Sequence, residues 1–198
     1  MSYKNDALEK LLGTLTKDTA APLYTYRTEN NYLPVLGEGD STASIMFVGE
    51  APGKKEAESG KPFCGRAGKM LDELLNSVGL LRESVYITNI VKDRPPENRD
   101  PTPEEITWYA PYLDQQIEII KPNVVVTLGR FAMDYLFTRY GVESEETLIS
   151  QLHGTVHDAQ TQDVPFKIVS LYHPAAAIYN QKLKKTLLED MQQLKQFM

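Results

Sequence analysis

Residues 44–75 read SIMFVGEAPGKKEAESGKPFCGRAGKMLDELL. Ser44 to Val48 is a short apolar run of the length expected for a strand buried on both faces. From Met70, the apolar residues Met70, Leu71, Leu74, Leu75 and Val78 recur at helical spacing, and Gly79 is placed to end that helix. The loop between is about 17 residues, far longer than a connection needs, and loops of that size usually carry function. It holds Glu50 directly after the strand, Phe63 between Pro62 and Cys64, and a run of glycines and lysines.

Working outward, Leu8, Leu11, Leu12 and Leu15 share one face of a helix expected over residues 4–17, and residues 18–43 look irregular. Val85 to Ile90 is a second β-rich run. It feeds VKDRPPENRDP, which its prolines should hold extended. Thr102-Pro103-Glu104-Glu105 is a capping box with proline at the first helical position, so a helix begins there and stops at Lys121-Pro122. Val124 to Leu128 is the third strand, followed by Gly129 and a helix over 130–140. Residues 141–150 are acidic and 151–165 hold His153-Gly154 and a polar turn. Phe166 to Leu171 is the fourth strand, ending in Tyr172-His173-Pro174. A last helix is expected over 183–197.

Strands alternating with helices predict a layered α/β fold with a mainly parallel sheet. Such sheets bind ligands outside the carboxyl ends of their strands. Glu50, Asn89, Gly129 and His173 all follow or end strands, so the fold should gather them along one edge. Taken singly, Glu50 reads as a solvated carboxylate, Asn89 as a turn cap and His173 as a structural histidine; their convergence argues for a site. Cys64 reads as a small buried apolar residue, with a Cys64–His173 nucleophilic pair as the less favoured option.

The 198 residues suit one domain over 1–198, with residues 1–43 packed on it as a helix and an irregular segment. No apolar run spans a membrane, the N-terminus lacks a secretory core, and one cysteine permits no internal disulfide, so a cytoplasmic location is expected. A net charge of −6 argues against coating nucleic acid by bulk charge. Local basic clusters remain: Lys54, Lys55, Lys61, Arg66 and Lys69; Lys92, Arg94 and Arg99; Lys182, Lys184 and Lys185. Gly49-Glu50-Ala51-Pro52-Gly53-Lys54 imitates a phosphate-binding loop, but its spacing is one residue short and Glu50 would oppose a phosphate.

Four blocks in order resemble the uracil-DNA glycosylase superfamily, family 4 type: GEAPGKKE at 49–56, GKPFCGRAGKMLDELL at 60–75, TNIVKDRPPENRDPTPEE at 88–105 and YHPAA at 172–176. The strand KPNVVVTLG at 121–129 fits as well. The resemblance implies a three-layer α/β/α fold around a four-stranded, mainly parallel sheet. It implies hydrolysis of the glycosidic bond of deoxyuridine in single- or double-stranded DNA by a monomeric, monofunctional enzyme. The nucleotide would be flipped into a pocket formed with Gly49, Ala51, Pro52 and Gly53. There Phe63 would stack on the base, Asn89 would pair with uracil O4 and N3–H, and His173 would hydrogen-bond O2. Glu50 would position water and stabilise the sugar cation, and Glu56 would lie near C5 and exclude a methyl group. Lys54, Lys61, Arg66, Arg94, Pro174, Ala175 and Lys182 are the implied DNA contacts. The family usually ligates an iron–sulfur cluster with four cysteines; two would fall near Asp93 and Tyr109 and two in the N-terminal segment. With only Cys64 in the chain, and that in another block, no cluster is expected. His153-Gly154 also departs from the family's commoner Arg-Gly. The rival readings are a catalytically weak uracil- or damaged-DNA-binding protein of the same fold, and a hydrolase of free nucleotides or nucleosides.

Overall fold

The computed structural model describes residues 3–198; Met1 and Ser2, the start of the expected N-terminal segment, lie outside the described residues. The strands are β1 (Glu38–Gly39), β2 (Ile45–Gly49), β3 (Tyr86–Asn89), β4 (Val124–Leu128), β5 (Val156–Gln160) and β6 (Pro165–Leu171). Among the described residues they form one sheet in the order β1-β3-β2-β4-β6-β5. The expected four strands are its parallel centre, β3-β2-β4-β6. The sheet is wider than expected because β1 and β5 add antiparallel edges. Neither edge has an apolar run: β1 is two exposed residues, and β5 is the half-exposed VHDAQ.

The helices are α1 (Tyr3–Lys17), α2 (Tyr24–Glu29), α3 (Lys54–Ser59), α4 (Arg66–Ser77), α5 (Pro103–Ile120), α6 (Arg130–Tyr140), α7 (Ile149–Leu152), α8 (Pro174–Ala177) and α9 (Gln181–Met191). Side chains alternate across the sheet. Met46, Val48, Val125 and Ile168 pack with Leu8, Leu11, Leu15, Leu113 and Ile117 from α1 and α5. Ile45, Phe47, Val126 and Val169 pack with Leu71, Leu74, Leu75, Leu187 and Met191 from α4 and α9. Every residue of β2 and β4 is buried, which is why both read as continuous apolar runs.

The start of α5 follows its sequence signature. Glu105 N donates to Thr102 Oγ1 at 3.2 Å, and Thr102 N donates back to Glu105 Oε2 at 2.8 Å. Such a cap contributes about 1 kcal/mol. Arg99 adds two bonds to the same carboxylate, anchoring the preceding loop. That loop is not simply extended: a tight turn at Pro96–Asn98 puts Glu97 and Asn98 at φ +55°. The last helix begins at Gln181, where the Asn180 side chain caps it, and ends in a 3₁₀ segment, Gln192–Phe197. Burial expectations reverse at several positions, two of them here. Cys64 is exposed, and Lys92 of the second basic cluster is completely buried.

The N-terminal segment is bound to the rest by a buried ion pair. Arg27 Nη1 donates to both carboxylate oxygens of Asp93 at 3.0 and 2.9 Å, and Nη2 donates to Thr16 O at 3.0 Å. Tyr109 Oη donates to Asp93 Oδ2 at 2.6 Å. Burial raises the Asp93 carboxyl while the Tyr109 hydroxyl and Arg27 guanidinium pull it back down. The end of α1, α2, the loop after β3 and α5 thus meet at one carboxylate. Arg27→Met strands that carboxylate in the core, and losing one partner of a buried pair costs about 3–5 kcal/mol. Urea unfolding should show a loss of that size, against little change for a surface control such as Lys10→Met.

Candidate active site

At the carboxyl ends of the parallel strands lies a cleft of about 330 Å³, lined by Glu50, Ala51, Gly53, Glu56, Phe63, Ala67, Asn89, Asn98, His173 and Ala175. Its base is the end of the β2–β3 ladder, where Gly49 stands opposite Asn89. Ile90 N and Val91 N continue the ladder to Gly49 O and Glu50 O, both at 3.0 Å. Gly49 is required by close approach: a Cβ there would lie 2.4 Å from Asn89 Oδ1 and 2.6 Å from Phe63 Cζ. Asn89 is 2% exposed, yet among the described residues no protein group hydrogen-bonds its side-chain amide. Both halves of that amide are therefore available to a ligand.

The Phe63 backbone is held at φ +48°, costly for an aromatic residue. Three constraints keep it there. Glu56 Oε1 accepts from Cys64 N at 3.1 Å and Gly65 N at 2.9 Å. Arg82 donates to Pro62 O at 2.7 Å. Gly68 lets α4 press against the turn, since a Cβ there would meet Phe63 O at 1.7 Å. Glu56 is thus neither a freely solvated carboxylate nor solely a cleft wall; it fixes the turn that presents Phe63. The Phe63 and His173 rings lie 5.7 Å apart.

His173 caps α8: its Nδ1 accepts from Ala175 N at 3.2 Å. An accepting Nδ1 carries no proton, and burial pulls the imidazole pKa down to about 4. The ring is therefore neutral at physiological pH, with its proton on Nε2. Glu50 moves the other way. Burial, and then the nearby Asp100 carboxylate, push its pKa up to about 7 against the pull of Arg130. Among the described residues no side chain pairs with it.

The remaining candidates separate by environment. Lys54, Lys61, Arg66 and Lys182 are exposed on the surface, Lys54 and Lys61 in loose pairs with Glu58 at 3.8 Å and Glu38 at 3.4 Å. Arg66 bonds the exposed Tyr179. Ala175 is an exposed residue of the cleft, whereas Pro174 and Pro52 are buried. Arg94 does not face phosphate: it is buried, donating to Tyr32 Oη at 2.8 Å, Tyr26 Oη at 3.3 Å and Asn98 Oδ1 at 2.8 Å. Ala67 and Asn98 are the cleft residues that sequence reasoning missed, and Asn98 is the polar one. Its sign was the Pro-Pro-Glu-Asn turn, which tolerates a left-handed asparagine and here points it back at the cleft.

The positions matched to cluster cysteines do not fit such a group. Asp93 and Tyr109 are buried and occupied with each other and with Arg27. Cys64 is exposed beside Ser59. Among the described residues, no group of three or more His, Cys, Asp or Glu could hold a metal ion.

Because the fold raises the Glu50 pKa, the native state holds its proton longer than the unfolded chain. The resulting destabilisation grows as pH rises from about 4.5 to about 7 and is complete above that. Glu50→Gln should therefore raise the melting temperature at pH 8 and leave it nearly unchanged at pH 4, read by calorimetry at both values.

Residues 36–195 match the Uracil DNA glycosylase superfamily. Among curated relatives, the chain is 46% identical over 169 residues to the type-4 uracil-DNA glycosylase of Archaeoglobus fulgidus, covering 85% of this chain and 83% of that one. It is 43% identical to the type-4 enzyme of Sulfurisphaera tokodaii, covering 96% and 84%, and 39% identical to that of Thermotoga maritima, covering 100% and 97%. With the strand-end cleft and the glycine-permitted meeting of Asn89 and Phe63, these matches lead to one conclusion: the chain belongs to the uracil-DNA glycosylase superfamily.

Proposed function

We propose that this chain excises uracil from DNA by hydrolysing the N-glycosidic bond of deoxyuridine, leaving an abasic site. The observation that carries this reading is the cleft's division of labour: an unpartnered buried amide, a neutral imidazole and a carboxyl group titrating near neutrality, gathered around one aromatic ring. The family membership and the type-4 relatives support it.

A uridine flipped into the cleft stacks on Phe63. The Asn89 amide donates to O4 and accepts from N3–H. Cytosine reverses both groups, at a cost of about 1–3 kcal/mol for such a bidentate contact. As the N1–C1′ bond lengthens, negative charge spreads onto uracil O2, where the Nε2–H of neutral His173 donates to it. Positive charge develops on the sugar, and ionised Glu50 stabilises it and orients a water. The water oxygen bonds C1′, its proton passes to Glu50, and uracil departs with the bonding electrons. The pinned Glu56 side chain stands at the cleft wall, where it would obstruct a C5 methyl group.

Lys54, Lys61, Arg66 and Lys182 supply the phosphate contacts, with Ala175 at the lip. Arg94 acts at one remove by holding Asn98. No lysine lines the described cleft, so strand cleavage through an imine has no nucleophile. The reading is completed by a cluster-free monomer, whose cleft is built from one chain, acting on DNA in the cytoplasm. No described helix is long and apolar enough to cross a membrane. The second reading, uracil binding without turnover, would leave the unpartnered Glu50 carboxyl without a task.

Labelled oligonucleotides carrying one uracil, single-stranded or opposite G or A, should yield alkali-cleavable sites; binding without cleavage on all three would sink the enzyme reading. kcat/KM should rise with pH and level off above about 7 as Glu50 ionises, and Glu50→Gln should abolish that limb. Gly49→Ala should cut kcat/KM about 100-fold, the size of effect expected from a displacement near 1 Å at the reacting groups, while circular dichroism stays native.

A further inference from the structure

Lys92 is completely buried, and desolvation holds its ammonium pKa well below the usual lysine range. Among the described residues no carboxylate pairs with it. Its Nζ instead lies 2.5 Å from Asn89 O, 2.5 Å from Gln116 Oε1 and 2.8 Å from Thr88 Oγ1. The protons in this nest can be assigned. Thr88 Oγ1 donates its own hydrogen to Leu36 O at 2.6 Å, and Gln116 Nε2 donates to Leu36 O at 2.9 Å and Tyr86 Oη at 3.1 Å. The threonine oxygen and the glutamine carbonyl therefore face Nζ as acceptors. Nζ is therefore the donor to these oxygens.

We propose that Lys92 is a positioning residue for base recognition: its amino group clamps the main chain of Asn89 and so sets the direction of the Asn89 amide in the cleft. This rests on the reading of Asn89 as the uracil-pairing group. The clamp draws on three parts of the chain. Gln116 comes from α5, Leu36 from the segment before β1, and Thr88 from β3 itself. Lys92 O in turn accepts from Val35 N at 2.8 Å, so the segment before β1 is held at both ends of the lysine. From the other side, the ladder bonds of Ile90 and Val91 to Gly49 and Glu50 fix the same turn. Among the described residues no side-chain bond holds the Asn89 amide, so its aim depends on this main-chain clamp.

The test is a double-mutant cycle on uracil-containing single-stranded DNA, using the full chain. Lys92→Met keeps much of the volume and removes the donors. It should lower kcat about 10- to 100-fold and change KM less than about 3-fold, since misdirection affects reaction more than DNA contact. In an Asn89→Ala background, the same substitution should cost less than about 2-fold, because the lysine then has no amide to aim. Gln116→Met, which removes one acceptor and leaves the lysine, goes through the same cycle and decides the matter if Lys92→Met does not fold. Equal losses in both backgrounds would overturn the positioning role. Wild-type inactivity on uracil, or an Asn89→Ala variant as fast as wild type, would overturn the underlying reading and this inference together.

Discussion

The site depends on one missing atom. β2 and β3 run parallel and in register to their ends, so residue 49 faces residue 89 across a ladder. The Asn89 amide and the Phe63 ring both fill the space where residue 49 would carry a Cβ. The sheet supplies a rigid pair of strand ends, and glycine at one of them lets a hydrogen-bonding edge and an aromatic face lie close enough for one planar base. The rest of the region serves to keep those two groups there. Glu56, Arg82 and Gly68 hold the strained Phe63 turn, and the Lys92 nest lies against the main chain of Asn89.

Polar contacts from several elements stiffen the loop after β3. It is bound by a buried ion pair to the N-terminal helices, by a buried lysine to α5, and by Arg99 to the cap of α5. Asp93 and Lys92 are costly to bury alone. Each is tolerable because its partners satisfy it from different elements. The same arrangement explains why Arg94 is not a surface cation. It is spent inside, between two tyrosines and the asparagine that it presents to the cleft.

Burial shifts the two ionisable groups of the cleft in ways that suit opposite tasks. It keeps His173 neutral, so in the proposed reaction the imidazole meets the departing base as a hydrogen-bond donor with a defined tautomer. It raises Glu50 toward neutrality, where a carboxylate is basic enough to take a proton from water. Desolvation acts on both, but it disfavours the cation in one case and the anion in the other.

The central strands, the capping box of α5 and the gathering of Glu50, Asn89 and His173 at one sheet edge were legible in the sequence. Continuous apolar runs, helical periodicity and the carboxyl-end rule are local or topological signals, and they survive folding. The antiparallel edges were not legible, because two exposed residues and a half-polar strand carry no apolar pattern. Charge was the poorest guide. Lys92 and Arg94 look like surface cations in the sequence, yet both are buried, because only the fold brings Gln116, Thr88 and the tyrosines to them. Likewise Asn98 enters the cleft, and Cys64 leaves the core, through left-handed turns whose course is set by long-range contacts. The sequence by itself determined which chemical groups end the strands. Tertiary structure decided which polar groups are desolvated, and therefore their protonation and their partners, because desolvation depends on everything packed around a group.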